Sequence, residues 1–249
     1  MKRILRIIAG LGVLLLIIGA VAFFVLNEPL PKGRPGPEAE ALAIKMQEAV
    51  GAEALEEKTG VLSWTFANKN HYVWDPKRSL VQVAWGDTRV LLNLSDWPKG
   101  KAFEKEVEVT DERLDVLRGK AYQYFVNDSF WLVAPTKTFD EGVERAVVVQ
   151  PDGSKALLVT YSSGGVTPGD SYLWHLDADG LPVSYQMWVS IIPIGGLKAT
   201  WENWITLETG LKVPTKHQLG PLTIPITDAK SGIVYSEIGL DKDPFELIL

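Results

Sequence analysis

Side chains able to do chemistry are few and scattered in this 249-residue chain. It has three histidines, His71, His175 and His217, and no cysteine. His71 and Asp75 share one face of an extended stretch, yet four residues of strand separate them by about 13 Å, too far for a dyad. Serine hydrolysis of the common kind places its nucleophile on a strained turn, Gly-x-Ser-x-Gly, between a strand and a helix. That motif is absent, and Ser162-Ser163-Gly164-Gly165 is followed by no helical pattern. Asp177-Ala178-Asp179-Gly180 begins like a calcium loop, but the position that needs a bidentate glutamate is Trp188. The glycine-rich stretch from Gly164 to Asp170 leads into a strand, so it offers phosphate no helix N-terminus. It reads as a hairpin loop or as a lip over a cavity mouth, with Asp128 and Asp170 as polar groups near the opening. Asp128 reads equally well as a turn residue ending a helix. No catalytic residue, cofactor or metal-ligand set is expected, and binding is the activity left to explain.

The element with the clearest punctuation is a β-hairpin within residues 164–196. Tyr172, Trp174 and Leu176 alternate with Leu173, His175 and Asp177; Asp177 to Gly180 supplies the turn; Leu181, Val183, Tyr185 and Met187 form the returning apolar row. A four-residue turn places Leu176 opposite Leu181 and both apolar rows on one face. A wide hairpin with an aromatic face needs an apolar cover.

Around it the periodicity is mostly two. Helical spacing runs from Glu38 to about Lys58, with Pro37 at its start and Gly51 as a break. A meander of four strands follows within Val61–Leu94, and Thr110-Asp111-Glu112 opens a second helix expected to stop near Asn127. Phe130–Ala134 reads as strand, as do Val143–Val149, Ala156–Tyr161, Lys198–Leu207 and Val213–Leu219; the last thirty residues, with Pro221, Pro225 and Pro244, suggest an edge strand and a tail. Helices come only at the start and after the fourth strand, which excludes a parallel α/β fold. The expected class is α+β, mainly β: one strongly curved antiparallel sheet of about ten or eleven strands, an incomplete barrel, with two helices on its concave face.

Composition sets the partners. Net charge is −6, and setting aside Lys2, Arg3 and Arg6 leaves 22 basic against 31 acidic residues. Nucleic acid binding and direct electrostatic attraction to an anionic bilayer surface both need clustered Lys and Arg, so neither is expected. Without cysteine there is no disulfide, no thiol nucleophile and no site for a lipoprotein anchor. The three basic residues precede an uncharged apolar run, Ile7–Leu26, whose 20 residues would make about 30 Å of helix, enough to cross a bilayer. Ala20-Val21-Ala22 would suit cleavage of a signal peptide. The run continues apolar through Leu26, however, which favours an uncleaved anchor with the rest of the chain outside the cytoplasm. Residues 1–26 are therefore read as a signal anchor, 27–37 (four prolines, two glycines) as a partly stiffened linker that would hold the domain off the membrane, and 38–249 as one domain.

Nine tryptophans lie almost entirely in expected strands. They fit either a solid aromatic core or an apolar cavity between sheet and helices, and only cavity volume separates the two. Four short motifs bear on the choice: Trp64-Thr65-Phe66, His71-Tyr72-Val73-Trp74-Asp75, Asn127-Asp128-Ser129-Phe130-Trp131-Leu132, and Thr167-Pro168-Gly169-Asp170-Ser171-Tyr172. With the element order they make the chain resemble the LolA/LolB-like superfamily of bacterial periplasmic lipoprotein carriers and acceptors, in a membrane-anchored branch. The resemblance implies a half-barrel with a helical lid that accepts a lipid or lipoprotein acyl chain in the periplasm. Trp64, Phe66, Trp131, Tyr172, Trp174 and Tyr185 are then the expected lining. Unlike the known carrier, this chain is expected to stay tethered to the inner membrane, which suggests local hand-over to an envelope protein partner. Two other readings stand beside it: an envelope scaffold with a solid aromatic core, and a hydrolase using Asp128, Asp170 or His71.

Overall fold

The computed structural model describes Gly12, residues 27–163 and residues 168–249. The remainder of the apolar run 7–26 and the lip residues 164–167 lie outside the described residues. Among those described, no helix is long and apolar enough to cross a membrane.

Helix α1, Pro37–Val50, has proline in its first turn, Glu38 and Glu40 at the positive end of its dipole, and Gly51 at φ 68° as its C-cap. The expected break at Gly51 is therefore a true end, followed by one wide turn, Ala54–Lys58. The first meander has six strands rather than four: β1 Val61–Phe66, β2 Asn70–Asp75, β3 Leu80–Trp85, β4 Thr88–Asn93, β5 Lys101–Glu104 and β6 Val107–Val109. After helix α2, Arg113–Val133, come β7 Val143–Val149, β8 Lys155–Tyr161, β9 Ser171–Leu176, β10 Pro182–Trp188 and β11 Leu197–Thr200. A two-stranded ribbon, β12 Ile205–Thr206 with β13 Lys212–Val213, precedes β14 Lys216–Leu219 and β15 Leu222–Gly232.

Apart from the ribbon, all of these strands form a single antiparallel sheet of 13 strands, ordered β6-β5-β4-β3-β2-β1-β15-β14-β11-β10-β9-β8-β7. It is larger than expected and does not close into a barrel, since β6 and β7 are its two edges. Strand β15 joins the halves. Leu222 to Pro225 pair with β14, and Ile226 to Gly232 pair with β1. Pro225 stands at the hand-over, which explains how a segment expected at an edge occupies the centre of a sheet despite its proline.

Both helices cover the same face. Ala39, Ala43 and Met46 of α1 pack against Leu157, Tyr172, Trp174, Tyr185 and Trp201. Ala121, Phe125 and Leu132 of α2 pack against Trp64, Tyr72, Val83 and Leu92. The opposite face of β1–β5 is covered by the C-terminal tail through Ile238, Phe245 and Ile248.

Two local expectations are corrected. Helix α2 passes Asn127 and absorbs Phe130–Val133, which the sequence suggested as strand. Its buried positions Arg118, Ala121, Phe125, Asp128 and Leu132 keep three- and four-residue spacing, so Asp128 continues the stripe instead of ending it. In the β9–β10 hairpin Leu176 faces Pro182, and a bulge follows before Ser184 pairs with His175. Val183 is turned outward and is 44% exposed, while Tyr185 and Met187 remain buried.

Candidate functional site

Between the C-terminal half of α2 and strands β7–β10, reaching Trp74 of β2 and Leu219 of β14, lies a cavity of about 590 Å³. That volume is within the range of about 300–1,000 Å³ typical of small-molecule sites. Helix α2 contributes Phe125, Phe130 and Trp131; β8 contributes Tyr161; β9 and β10 contribute Tyr172, Tyr185 and Met187. Val189, Ile191 and Ile192, in the loop after β10, complete one wall. Lys137, Asp140, Glu141, Ser163 and Asp170, with Asn127 and Ser129 of α2, form the polar part of the lining.

The walls are held by ring contacts. Phe130 sits 4.4 Å from Tyr172 between ring centroids and meets Tyr161 edge-on at 5.6 Å. Trp131 reaches Tyr185 at 5.6 Å and His217 at 5.1 Å, and it packs against both core clusters. The alternation of β8, β9 and β10 turns their large side chains towards α2. Burial, before any other influence, pushes the hydroxyl pKa values of Tyr161, Tyr172 and Tyr185 up, so all three remain neutral. The Tyr161 hydroxyl is buried without a hydrogen-bond partner among the described residues. In the polar part Lys137 pairs with Asp140 at 3.2 Å, and an Asp170 carboxylate oxygen accepts the Ser190 amide at 2.9 Å.

Of the residues expected to line a cavity, Trp131, Tyr172 and Tyr185 do so, and Asp170 lies in its polar part. Trp64, Phe66 and Trp174 do not. Trp64 stacks on Tyr72 at 4.6 Å in the solid half of the core, against which Phe66 also packs. Trp174 is enclosed by Tyr185 and Trp201 at 5.0 and 4.9 Å. Asp128 is buried away from the cavity, accepting from Asn70 Nδ2 at 2.8 Å and from the Tyr72 hydroxyl at 2.5 Å. Phe130, Tyr161 and Met187 also line the cavity, beyond the six residues expected there. The alternating row Leu157-Val159-Tyr161 was the signal available for one of them.

The remaining candidates for chemistry are dispersed. His71 Nδ1 and Thr65 Oγ1 are 2.8 Å apart, while Asp75 binds Arg78 and the Tyr235 hydroxyl. His217 donates from Nδ1 to the Thr200 carbonyl at 2.9 Å, and burial lowers its pKa to about 4. Asp177 Oδ1 accepts from the amides of Asp179 and Leu181, so it serves the hairpin turn. Among the described residues no three side chains of the ligating types converge on a metal position.

Comparison with known proteins adds little. No family model matches the chain, and no curated protein matches it. Among solved structures, a DUF1329 family protein from Desulfovibrio piger superposes with a TM-score of 0.42 at 10% identity, covering 85% of this chain and 97% of that one.

Proposed function

We propose that residues 38–249 form a non-catalytic domain that holds a lipid or lipoprotein acyl chain, tethered to the bacterial inner membrane by residues 7–26 and working in the periplasm. The observation that carries this reading is the cavity of about 590 Å³ walled by Phe130, Trp131, Tyr172, Tyr185 and Met187. Each methylene moved from water into such a space is worth about 0.8 kcal/mol, so hydrocarbon alone can supply the driving force. Neutral tyrosines and a partly acidic lining give a lipid head group hydrogen-bonding partners at one part of the cavity. The resemblance of the four motifs to the LolA/LolB-like superfamily and the apolar N-terminal run support an envelope location for this activity, with an envelope protein as the receiving partner.

A scaffold function is the second reading, and the dense packing of Trp64, Tyr72 and Phe125 favours it for the β1–β5 half. Titration of residues 27–249 with a fluorescent polyene fatty acid separates the two. Saturable binding that is lost in Ser129→Trp, where an indole enters the cavity from the side of α2, supports the carrier. Absence of saturable binding in the unsubstituted domain leaves the scaffold.

A further inference from the structure

We propose that the loop 189–196, between β10 and β11, is a lipid-bilayer docking surface, so that the cavity opens at the membrane and not into bulk water. The inference builds on the proposed tether and acyl-chain function. Its evidence is separate from the cavity's shape.

From Met187 to Leu197 the chain carries no charge. Ile191 is 68% exposed, although Val189, Ile191 and Ile192 all contribute to the cavity wall. The same loop is thus cavity wall on one side and apolar surface on the other. It is also where the domain meets the residues that directly follow the apolar run, which the sequence suggested as a spacer but which are hydrogen-bonded to the domain at Asn27, Glu28 and Arg34. The Glu28 amide donates to the Gly195 carbonyl at 3.0 Å, and the Gly195 amide donates to Asn27 Oδ1 at 2.8 Å. Trp188 Nε1 donates to the Glu28 carbonyl at 2.7 Å, and Gln186 Nε2 to Glu28 Oε2 at 2.8 Å. Gly195 is needed for this closeness, because a Cβ there would stand 2.4 Å from Trp188 Cδ1 and 2.9 Å from the Glu28 carbonyl oxygen.

One residue of extended chain spans at most about 3.6 Å. A chain leaving the bilayer at Leu26 therefore brings Asn27 to the interface, and its hydrogen bonds bring loop 189–196 with it. Leu30, 46% exposed, adds apolar surface to the segment that follows Asn27. Trp188 has the amphipathic ring found at membrane interfaces, with its N–H already engaged. A bilayer suits this uncharged loop and its exposed Ile191 better than water does, and it is also the source of acyl chains.

The absence of cysteine allows a direct test. Full-length Ile191→Cys carries an environment-sensitive fluorophore and is reconstituted into phosphatidylcholine–phosphatidylglycerol vesicles. Val107→Cys, at a 70% exposed position on the β6 edge, is the control. The expected result is a blue-shifted emission at position 191, quenched by doxyl-labelled lipid, with no shift and no quenching at position 107. Equal hydration of both positions overturns the proposal, as does failure of the full chain to float with the vesicles. Because Ile191 also lines the cavity, the quenching is repeated with saturating unlabelled fatty acid: quenching that persists reports the bilayer, and quenching that the fatty acid abolishes overturns the proposal. A hydrated label would therefore refute docking while the fatty-acid titration judges the cavity separately.

Discussion

Asp128 would be costly inside the core without its two donors. Burial is the main influence on its carboxyl and raises the pKa, while the hydrogen bonds from Tyr72 and Asn70 act in the opposite direction. Asp128→Ala strands the Tyr72 hydroxyl and the Asn70 amide, and the expected loss of stability is about 2–3 kcal/mol by urea denaturation. Fatty-acid affinity should be unchanged, because Asp128 does not line the cavity. A fall in affinity equal to that of a lining variant would contradict this division of roles. His217 gives a pH signature. Its folded pKa of about 4 lies below the ordinary 6.5, so the neutral ring favours the fold above pH 6.5 and that contribution is lost as pH falls towards 4. At pH 5 the loss amounts to about 2 kcal/mol relative to pH 7. His217→Asn, which keeps an N–H donor but cannot titrate, should flatten the decline between pH 6.5 and 5. Parallel pH profiles for the two proteins would refute the assignment. Neither role was readable beforehand, since each depends on partners brought together only by folding: Asn70 and Tyr72 for Asp128, Thr200, Trp131 and Trp201 for His217.

At the scale of elements, sequence signals worked where the cause is local. Asp177 caps its own turn and Gly180 takes φ 94°, as the Asp-x-Asp-Gly pattern implies. Gly180 also lies against α1. A Cβ there would stand 2.7 Å from Lys45 Cγ and 2.8 Å from the Lys45 carbonyl oxygen. Gly180→Ala should therefore cost about 1–3 kcal/mol through strain and crowding, read as a lowered thermal midpoint. An unchanged midpoint would mean that the hairpin tip moves freely off the helix. Sequence signals failed where tertiary partners decide. Phe130-Trp131-Leu132-Val133 is apolar throughout, so periodicity cannot assign it, and packing on two clusters makes it helix. The hairpin register slips at Val183 because neighbours from the following segment bind there. Trp201 N donates to the Val183 carbonyl, and Trp204 Nε1 to the Pro182 carbonyl.

Across the whole molecule, alternation revealed which side chains turn inward but not which part of that face the helices leave open. Trp64 and Trp174 face inward as expected, yet α2 and α1 seal them, and the open volume lies by β7–β10. A long antiparallel sheet with both helices on one face was legible; its thirteen strands and the central place of β15 were not. The most direct test of the acyl-chain assignment is native mass spectrometry of residues 27–249 after export to a bacterial periplasm, with solvent extraction of any bound species. The expected result is a stoichiometric added mass that extracts as fatty acid or phospholipid and disappears in Ser129→Trp. A bare protein at its sequence mass, or a bound lipid that Ser129→Trp retains in full, would contradict the assignment of this cavity.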